Sequence, residues 1–411
     1  MRGEWRFYTA GEIIFGRGVV RRTGEAVRRL SAERALLVTD PALVAAGLHR
    51  PVERSLAEAG IAVERFEGGR AKPTLDAVAA CTAVVQDGAY QALVALGGGS
   101  NIDLAKAAAV IARYGGSAED YMGERQVPGP ILPLVAISTT AGTGSEVSGA
   151  SVLADPAHGR RGAILSNYLR PGVAIYDPVL TLSCPPQVTA DAGIDALTHA
   201  VEAYMVVDYR HETPGDPAPG DEPSSEPPPG LYHGRFPLSD LLAEQAIDLA
   251  GRYLRRAVYR GGDLEAREGM HLASLLAGMA FSNAGLTAVH ALEYPVGVAT
   301  GCTHGAGNGL LLPYVMAYNV PACPERLATV ARLLGEDVGG LPIQDAAFRA
   351  AEAVQRLKED IGIPLDLRTL GVQESDLRPL AEATAQITRL LQANPRPLDA
   401  DALEEILRQA W

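Results

Sequence analysis

The sequence predicts an α/β domain with a parallel sheet in its first half and an all-α domain in its second half. Three observations support this prediction: short apolar runs alternate with helical segments up to about residue 177, strand signals then fade, and amphipathic segments follow. Strands that alternate with helices are typical of a parallel sheet covered by helices on both faces. We therefore predict domains at residues 1–184 and 185–411 of this 411-residue chain.

The first domain contains its elements in the order that this fold requires. The predicted strands are ALLVTD (35–40), IAVERF (61–66), ALVALGGGS (92–100) and LPLVAISTT (132–140). The predicted helices are VERSLAEAG (52–60), Thr74 to about Gln86, and NIDLAKAAAVIARY (101–114). In open parallel sheets, ligands bind beyond the carboxyl ends of the strands, so the loops after these strands are candidate binding loops.

The second half contains amphipathic segments such as LLAEQAIDLAGRYLRRAVY (241–259) and PERLATVARLLG (324–335). Their apolar residues recur at helical spacing, which predicts helices. Residues 208–236 differ because they are rich in proline, glycine and acidic residues. Such a segment has too little apolar surface to bury, so we predict a solvent-facing insertion and assign it no function.

Composition and charge exclude several classes of partner. The formal net charge is -13, and no basic patch of the kind that binds a phosphate backbone is present, so we expect a small-molecule substrate rather than nucleic acid. The sequence contains no run of about 18 apolar residues, which is the length that would predict a membrane span. The N-terminal segment lacks the pattern of a signal peptide, and the four cysteines form no CxxC pair, so we expect free thiols and a cytoplasmic location.

Two glycine-rich loops follow predicted strands. The loop GGGS at residues 97–100 opens a helix, where close backbone approach and free N–H groups favour a bound phosphate. The second loop, STTAGTGSEVS at residues 138–148, adds hydroxyl groups at the end of another strand. Glycine clusters are also plain turns, so either loop alone leaves both interpretations open.

Asp40 ends the first of the strands predicted above, in the sequence VTDP. A carboxylate at this place accepts hydrogen bonds from an adenosine ribose and repels a 2′-phosphate, which favours NAD over NADP, with NADP as the alternative. An acidic residue directly before Pro41 is equally typical of a helix N-cap.

A carboxylate and three imidazoles form the most informative pattern. Asp195 and His199 are four residues apart on a predicted helix and therefore lie on one face, while His290 and His304 lie in apolar segments with glycines. The pair is either an ordinary internal hydrogen-bonded pair or half of a metal site. The two further histidines favour the metal site, because burying this much polarity without a partner is unfavourable.

The segments GGGSNIDLAK, ISTTAGTGSEVS, DAGIDALTHAVEAY and VHAL…CTHGAGNGLLLPYV resemble the iron-containing (group III) alcohol dehydrogenase family. The resemblance covers nearly the whole chain, in order and at similar spacing. It implies a dehydroquinate synthase-like first domain that binds a nicotinamide cofactor and a helical second domain that binds a metal. It also implies that one divalent metal has four protein ligands, which take part in catalysis: Asp195, His199, His290 and His304.

The resemblance also implies cofactor contacts along the first domain. Asp40 is expected at the adenosine ribose. The pyrophosphate is expected at Gly98, Gly99 and Ser100, with Asp103 and Lys106 on the helix behind. The nicotinamide end is expected near Thr139, Thr140, Thr143, Ser145 and Thr181. Arg161 stands where the family usually has a lysine, and Lys72 stands where many members have an asparagine.

Two residues are expected near the substrate. Phe281 lines the pocket by the same resemblance, which favours a small and partly apolar molecule. Tyr294 follows the third ligand by four residues, where one branch of the family has a second histidine. It is a candidate proton relay or substrate contact, and packing against Pro295 is the structural alternative.

The resemblance implies reversible hydride transfer between a small primary alcohol or hydroxy acid and NAD or NADP, with Fe²⁺ as first choice of metal and Zn²⁺ as second. The alternatives are a hydroxyacid–oxoacid transhydrogenase that retains its cofactor, a dehydroquinate synthase-like lyase, and a nicotinamide sensor without turnover. A homodimer or a higher homo-oligomer is also expected, because the apolar segment WRFYTAGEIIFG (5–16) can pair across two copies. It can equally fold back onto its own sheet.

Overall fold

A computed structural model describes residues 4–70, 72–155, 160–211 and 231–411 of the chain. These residues form two compact units. One unit comprises Tyr8–Pro185 and Gly261–His271, and the other comprises the chain up to Phe7, Pro186–Arg260 and Leu272–Trp411. The chain passes from the first unit to the second between Pro185 and Pro186, next to the boundary expected from the sequence. The division into domains 1–184 and 185–411 stays our proposal.

All strands of the described residues belong to the first unit. In chain order they are β1 (Glu12–Phe15), β2 (Arg34–Val38), β3 (Ala62–Phe66), β4 (Ala92–Gly97), β5 (Gly123–Glu124), β6 (Leu134–Ser138), β7 (Ala150–Asp155), β8 (Arg160–Leu165) and β9 (Val173–Tyr176). Six of them form a parallel sheet in the order β1-β9-β6-β4-β2-β3. The other three form a small sheet, β5-β8-β7, in which β7 and β8 are antiparallel.

The helices occupy both units. In chain order they are α1 (Thr23–Arg29), α2 (Pro41–Ala45), α3 (His49–Glu58), α4 (Leu75–Asp87), α5 (Gly99–Tyr114), α6 (Pro186–Met205), α7 (Pro237–Tyr259), α8 (Leu264–Ala284), α9 (Ala288–Thr300), α10 (His304–Asn319), α11 (Pro324–Leu333), α12 (Ile343–Asp360), α13 (Leu377–Ala385), α14 (Thr388–Leu391) and α15 (Ala400–Gln409). Five short 3₁₀ helices lie among them in the part of the chain that the structure describes.

The parallel sheet is buried on both faces. Leu36 and Val38 of β2 lie in one apolar core with residues of α4 and α5, while Ala35 and Leu37 lie in a second core with residues of α1 and α3. Successive side chains of a strand point to opposite faces, so this alternation places helices on both sides of the sheet. Burial on both faces explains why these strands are continuous apolar runs in the sequence.

The second unit contains helices joined by loops and no strand among its described residues, apart from one isolated bridge between Asp208 and Arg235. Helix α6 packs against α7 and α10, and α10 packs in turn against α9 and α12. Helix α10 therefore contacts both α6 and α9. This arrangement brings three separate parts of the sequence to one place.

The predicted fold class is confirmed: a parallel α/β part comes first and a helix-rich part follows. Strands β5, β7, β8 and β9 lie outside the predicted strand runs. Within the N-terminal segment 5–16, residues Glu12–Phe15 pair with β9 at the edge of their own sheet. Most of the predicted insertion 208–236 lies outside the described residues, and Asp208 and Arg235 form a bridge at its two ends.

No single helix among the described residues combines the length and apolar character needed to cross a membrane. Within the described ranges, the one pair of consecutive helices that together satisfies length and composition is α8 and α9, which meet at a bend of 103°.

Candidate metal centre

Four side chains from three helices of the second unit converge at one place. Asp195 and His199 lie one turn apart on α6, His290 lies in the first turn of α9, and His304 is the first residue of α10. Each offers one oxygen or nitrogen atom, and these four atoms all lie within 4.8 Å of one another. The structure therefore brings together the four residues that the sequence singles out.

The cluster is buried except at one edge. Asp195, His199 and His290 are each 4% exposed or less, whereas the side chain of His304 is 36% exposed. The Oδ1 atom of Asp195 lies 4.0 Å from Nε2 of His290 and 3.9 Å from Nε2 of His304. A small molecule can therefore reach the cluster on the side of His304.

Aromatic rings enclose the histidines. The ring of Phe281 stacks on that of His199 with 4.2 Å between centroids. The ring of His290 also stacks on that of His199, with 4.8 Å between centroids. Tyr294 is half-buried, and its ring centroid lies 6.3 Å from that of His304. The two residues expected near the substrate, Phe281 and Tyr294, thus both border the cluster.

Burial keeps His199 neutral, because it lowers the pKa of the imidazole to about 4. For Asp195, burial alone would raise the pKa, but the imidazoles, with His199 first among them, and a hydrogen bond from Asn308 outweigh it and leave the pKa below its ordinary value. The cluster therefore presents one carboxylate with neutral His199 beside it, which is the protonation state that a cation requires of its ligands.

Three polar residues next to the cluster are not among the site residues predicted from the sequence. The Oε2 atom of Glu202 contacts Nδ1 of His290, and Oε2 of Glu293 lies 2.5 Å from Nδ1 of His304. The side-chain amide of Asn308 lies 2.8 Å from Oδ1 of Asp195. Helical spacing is the signal that identifies them, since they follow a cluster residue on the same helix by three or four positions.

These residues fit a divalent metal ion. Nδ1 of His199 is buried and has no hydrogen-bond partner in the described part of the chain. Carboxylates behind His290 and His304 hold those rings by Nδ1, which leaves Nε2 of each ring facing the cluster. One carboxylate and three imidazoles without a thiolate form a donor set that both Fe²⁺ and Zn²⁺ accept.

Glycines allow α10 to lie close to α6. A Cβ atom on Gly305 would lie 1.9 Å from the backbone oxygen of Asp191, and one on Gly309 would lie 2.6 Å from Ile194. The hydroxyl of Thr303 donates to Oδ2 of Asp191 at 2.7 Å and also accepts from the backbone of Ala306. The helix that carries His304 is thereby fixed directly against the helix that carries Asp195 and His199.

The glycine loops of the first unit pack against each other. Gly97 has a φ of +153°, which side-chain-bearing residues rarely adopt, and Gly98 opens α5 as its N-cap. A Cβ atom on Gly99 would lie 2.6 Å from the hydroxyl of Thr143, and one on Gly98 would lie 3.1 Å from that of Thr140. The absence of side chains at Gly98 and Gly99 therefore allows the 138–148 loop to approach closely, in addition to the cofactor role expected of these glycines.

Asp40 is the N-cap of α2. Its Oδ1 accepts from the backbone of Leu43 at 3.0 Å, and its Oδ2 accepts from the amide of Asn101 at 2.8 Å. The structural interpretation of this residue is thus observed. Its expected contact with a ribose stays a prediction.

Three further residues expected near the cofactor form a buried bridge between α5 and the 138–150 segment. Asp103 accepts from the hydroxyl of Ser145 at 2.6 Å and from the backbone of Val152 at 2.9 Å. Lys106 donates to the backbone oxygens of Ser148 and Ala150, both at 2.8 Å. These contacts position the loop from behind.

The remaining expected residues have varied settings. The hydroxyl of Thr139 is buried without a hydrogen-bond partner among the described residues, and that of Thr181 donates to the backbone oxygen of Pro178. Ser100 lies in the first turn of α5, and Lys72 is exposed. Arg161 lies in β8, and its side chain falls outside the described part of the structure.

Comparison with known proteins identifies the family. Residues 10–178 match the family described as iron-containing alcohol dehydrogenase, and residues 233–411 match its C-terminal part. A NAD-dependent methanol dehydrogenase from Bacillus methanolicus is 36% identical over 98% of this chain and 99% of its own length. A 1,3-propanediol dehydrogenase from Klebsiella pneumoniae is 39% identical over 97% of this chain and 96% of its own length.

A solved structure of an alcohol dehydrogenase from Oenococcus oeni superimposes with a TM-score of 0.90 at 31% identity, covering 99% of this chain and all of that one. The agreement in sequence and in structure extends over nearly the whole length of the protein. The chain therefore belongs to the iron-containing alcohol dehydrogenase family and is an oxidoreductase.

Proposed function

We propose that this protein is a metal-dependent alcohol dehydrogenase that transfers a hydride reversibly between a small primary alcohol or hydroxy acid and NAD. The convergence of one carboxylate and three imidazoles within 4.8 Å is the observation that supports it most directly. The metal ligands in this proposal are Asp195, His199, His290 and His304. A divalent ion held there would supply a Lewis acid that makes an alcohol hydroxyl more acidic and stabilises negative charge on its oxygen.

The chain's own residues prepare this site. Glu202 and Glu293 hold the rings of His290 and His304 through Nδ1. Phe281 covers the face of His199, which excludes water from that side. The exposed edge at His304 is the side on which a substrate oxygen can approach, and Tyr294 lies beside that edge, where its hydroxyl can hold or pass on a proton.

The proposed cofactor site lies at the carboxyl ends of β2, β4 and β6. Asp40 follows β2, Gly98, Gly99 and Ser100 follow β4, and the 139–145 residues follow β6. Asp40 keeps a carboxylate where a 2′-phosphate would be repelled, so NAD is the proposed cofactor and NADP the alternative. The methanol dehydrogenase relative is NAD-dependent by name, which agrees with this choice.

Iron is the proposed metal, because the family is an iron-containing one. Zn²⁺ is the alternative, since the donor atoms are nitrogen and oxygen only. We further propose a cytoplasmic homo-oligomer, at least a dimer. None of the four cysteines, all of them described, forms a disulfide, which agrees with a reducing compartment. Strand β1 leaves one edge of the sheet unpaired among the described strands.

Two other activities are distinguished by their products. A transhydrogenase would retain its cofactor and release no NADH, and a dehydroquinate synthase-like lyase would recycle the cofactor within each turnover. The relatives compared above are dehydrogenases by name, which favours net NADH formation. A sensor without turnover is disfavoured because all four candidate ligands are present.

The test is NADH formation by protein purified anaerobically and reconstituted with Fe²⁺ or with Zn²⁺. The substrates are short primary alcohols, diols and 4-hydroxybutyrate, and His290→Ala is the control. We expect metal-dependent NADH formation that the substitution abolishes. Cofactor binding without turnover of any alcohol would contradict the proposal and favour the transhydrogenase or the lyase.

A further inference from the structure

Glu202 is a heavily hydrogen-bonded carboxylate next to the candidate metal centre. It is fully buried on α6. Its Oε1 atom accepts from the hydroxyl of Thr287 at 2.7 Å and from the backbone N–H groups of Thr287, Val289 and His290 at 3.1, 2.9 and 3.4 Å. Its Oε2 atom contacts Nδ1 of His290. One carboxylate oxygen of Glu202 therefore accepts from four donors, and the other contacts the ring of a candidate metal ligand.

The contact with His290 determines which ring nitrogen carries the proton. The four donors around Oε1 fit an ionised carboxylate, which has no hydrogen to donate, so Nδ1 of His290 donates to Oε2. Nε2 is then unprotonated. It faces the cluster, 3.1 Å from the amide nitrogen of Asn308 and 4.0 Å from Oδ1 of Asp195.

The same carboxylate caps the helix that carries His290. Thr287 is the N-cap residue of α9, and its side chain makes no capping bond to that helix. Glu202, which lies on a different helix, instead accepts hydrogen bonds from backbone N–H groups in the first turn of α9. A negative charge at a helix N-terminus is favourable, so this contact fixes α9 relative to α6, which carries Asp195 and His199.

We propose that Glu202 is a positioning residue that sets the proton position of His290 and thereby the metal affinity of the four-residue cluster. This inference rests on the proposed function, because it assumes that the cluster holds a metal. It goes further in assigning affinity to a residue that is not a ligand.

The substitution Glu202→Gln separates this role from helix capping. The introduced amide keeps its oxygen on the four donors that fix Oε1, so the cap survives. Its NH₂ group then faces Nδ1 of His290, which must accept, and the ring proton moves to Nε2. A protonated Nε2 offers no lone pair to a metal.

The matched control is Thr287→Val, which removes one donor to Glu202 and leaves the carboxylate on His290. The measurement is the Kd for Zn²⁺ and for Co²⁺, by chelator competition with the purified full-length proteins, together with the visible absorption of the Co²⁺ forms. We expect Glu202→Gln to raise the Kd by about 10- to 100-fold and to change the Co²⁺ spectrum. We expect Thr287→Val to change the Kd by less than about threefold, because the ring keeps its partner.

An unchanged Kd for Glu202→Gln, with metal bound by the wild type, overturns the inference and leaves the proposed function intact. Equal losses in both variants overturn it too, since they indicate a purely structural role. A wild type that binds neither ion removes the proposed function as well.

A second measurement avoids any variant that fails to fold. The ¹⁵N shifts of the His290 ring in the metal-free wild type report its tautomer directly. Protonated Nδ1 agrees with the inference, and protonated Nε2 overturns it.

Discussion

At the residue scale, the candidate metal centre consists of side chains whose protonation is set by their surroundings. Asp195 and His199 can be predicted from sequence because helical spacing places them on one face. Glu202 is harder to predict, although it lies three residues after His199, because its partner His290 is 88 residues away. Spacing shows which face a residue occupies, but the identity of its partner depends on how the helices pack.

His271 shows the cost of burying an imidazole without a partner. It is fully buried beside Tyr176 and Phe15, and neither ring nitrogen has a hydrogen-bond partner among the described residues. Burial lowers its pKa from 6.5 to about 3. The unfolded chain therefore binds a proton at a higher pH than the folded protein does.

This difference predicts a pH-dependent stability. The stabilisation from neutral His271 is complete above pH 6.5 and decreases as the pH falls from there to about 3. We expect the loss between pH 7 and pH 5 to be smaller in His271→Leu by about 2 kcal/mol. Urea unfolding of the metal-free proteins at both pH values measures it. Identical pH dependence in the two proteins would contradict the burial argument.

At the element scale, the order of strands and helices could be predicted, but the packing of the glycine loops could not. The run ALVALGGGS ends in Gly97 and continues directly into α5, as the pattern of a strand before a helix indicates. The contact of Gly99 with Thr143 joins two loops 44 residues apart, and no local pattern reports it. The small β5-β8-β7 sheet escaped prediction because β5 has only two residues and the other two strands are partly polar, as in RRGAIL.

The close approach of α10 and α6 makes a prediction for Gly305. A Cβ atom there would lie 1.9 Å from a backbone oxygen, so one helix must move. We expect Gly305→Ala to lower the free energy of unfolding by about 1–3 kcal/mol and to weaken metal binding. The control is Gly262→Ala, where a Cβ atom meets nothing within 4 Å. Equal stability of the two variants by urea unfolding would count against this packing.

Lys106 gives a second prediction at this scale. It is fully buried on α5, burial lowers its pKa to about 8, and it donates to two backbone oxygens of the 148–150 segment. We expect Lys106→Met to lower the free energy of unfolding by about 2–4 kcal/mol, because both carbonyl groups lose a donor. We also expect a higher Kd for NAD by titration, because the loop before them loses its anchor.

Lys72→Met is the matched control, because Lys72 is exposed and lies outside this bridge. We expect it to leave stability and cofactor binding within experimental error. If Lys106→Met behaved like this control, the bridge would have no part in positioning the loop.

At the scale of the whole molecule, the sequence was sufficient for the fold class and for naming four residues that the structure brings together as a candidate metal centre. The family resemblance linked Asp195 and His199 to His290 and His304, which lie about 100 residues further along the chain. Residue type alone left Asp40 open between a helix cap and a ribose contact, and the structure shows the cap. The alcohol is not specified by these features, since the compared relatives are named for different alcohols.

In the function proposed above, Asp195, His199, His290 and His304 together hold one divalent metal. The most direct test of this proposal is the metal-to-protein ratio, by elemental analysis of anaerobically purified protein, in the wild type, Asp195→Asn and Asp191→Asn. Asp195→Asn removes the cluster's carboxylate at nearly constant shape, while Asp191 lies one turn earlier and accepts hydrogen bonds from Thr303 and Gln187. We expect about one metal ion per chain in the wild type and in Asp191→Asn, and less than about a tenth of that in Asp195→Asn. Full metal content in Asp195→Asn, or none in the wild type, would contradict the account.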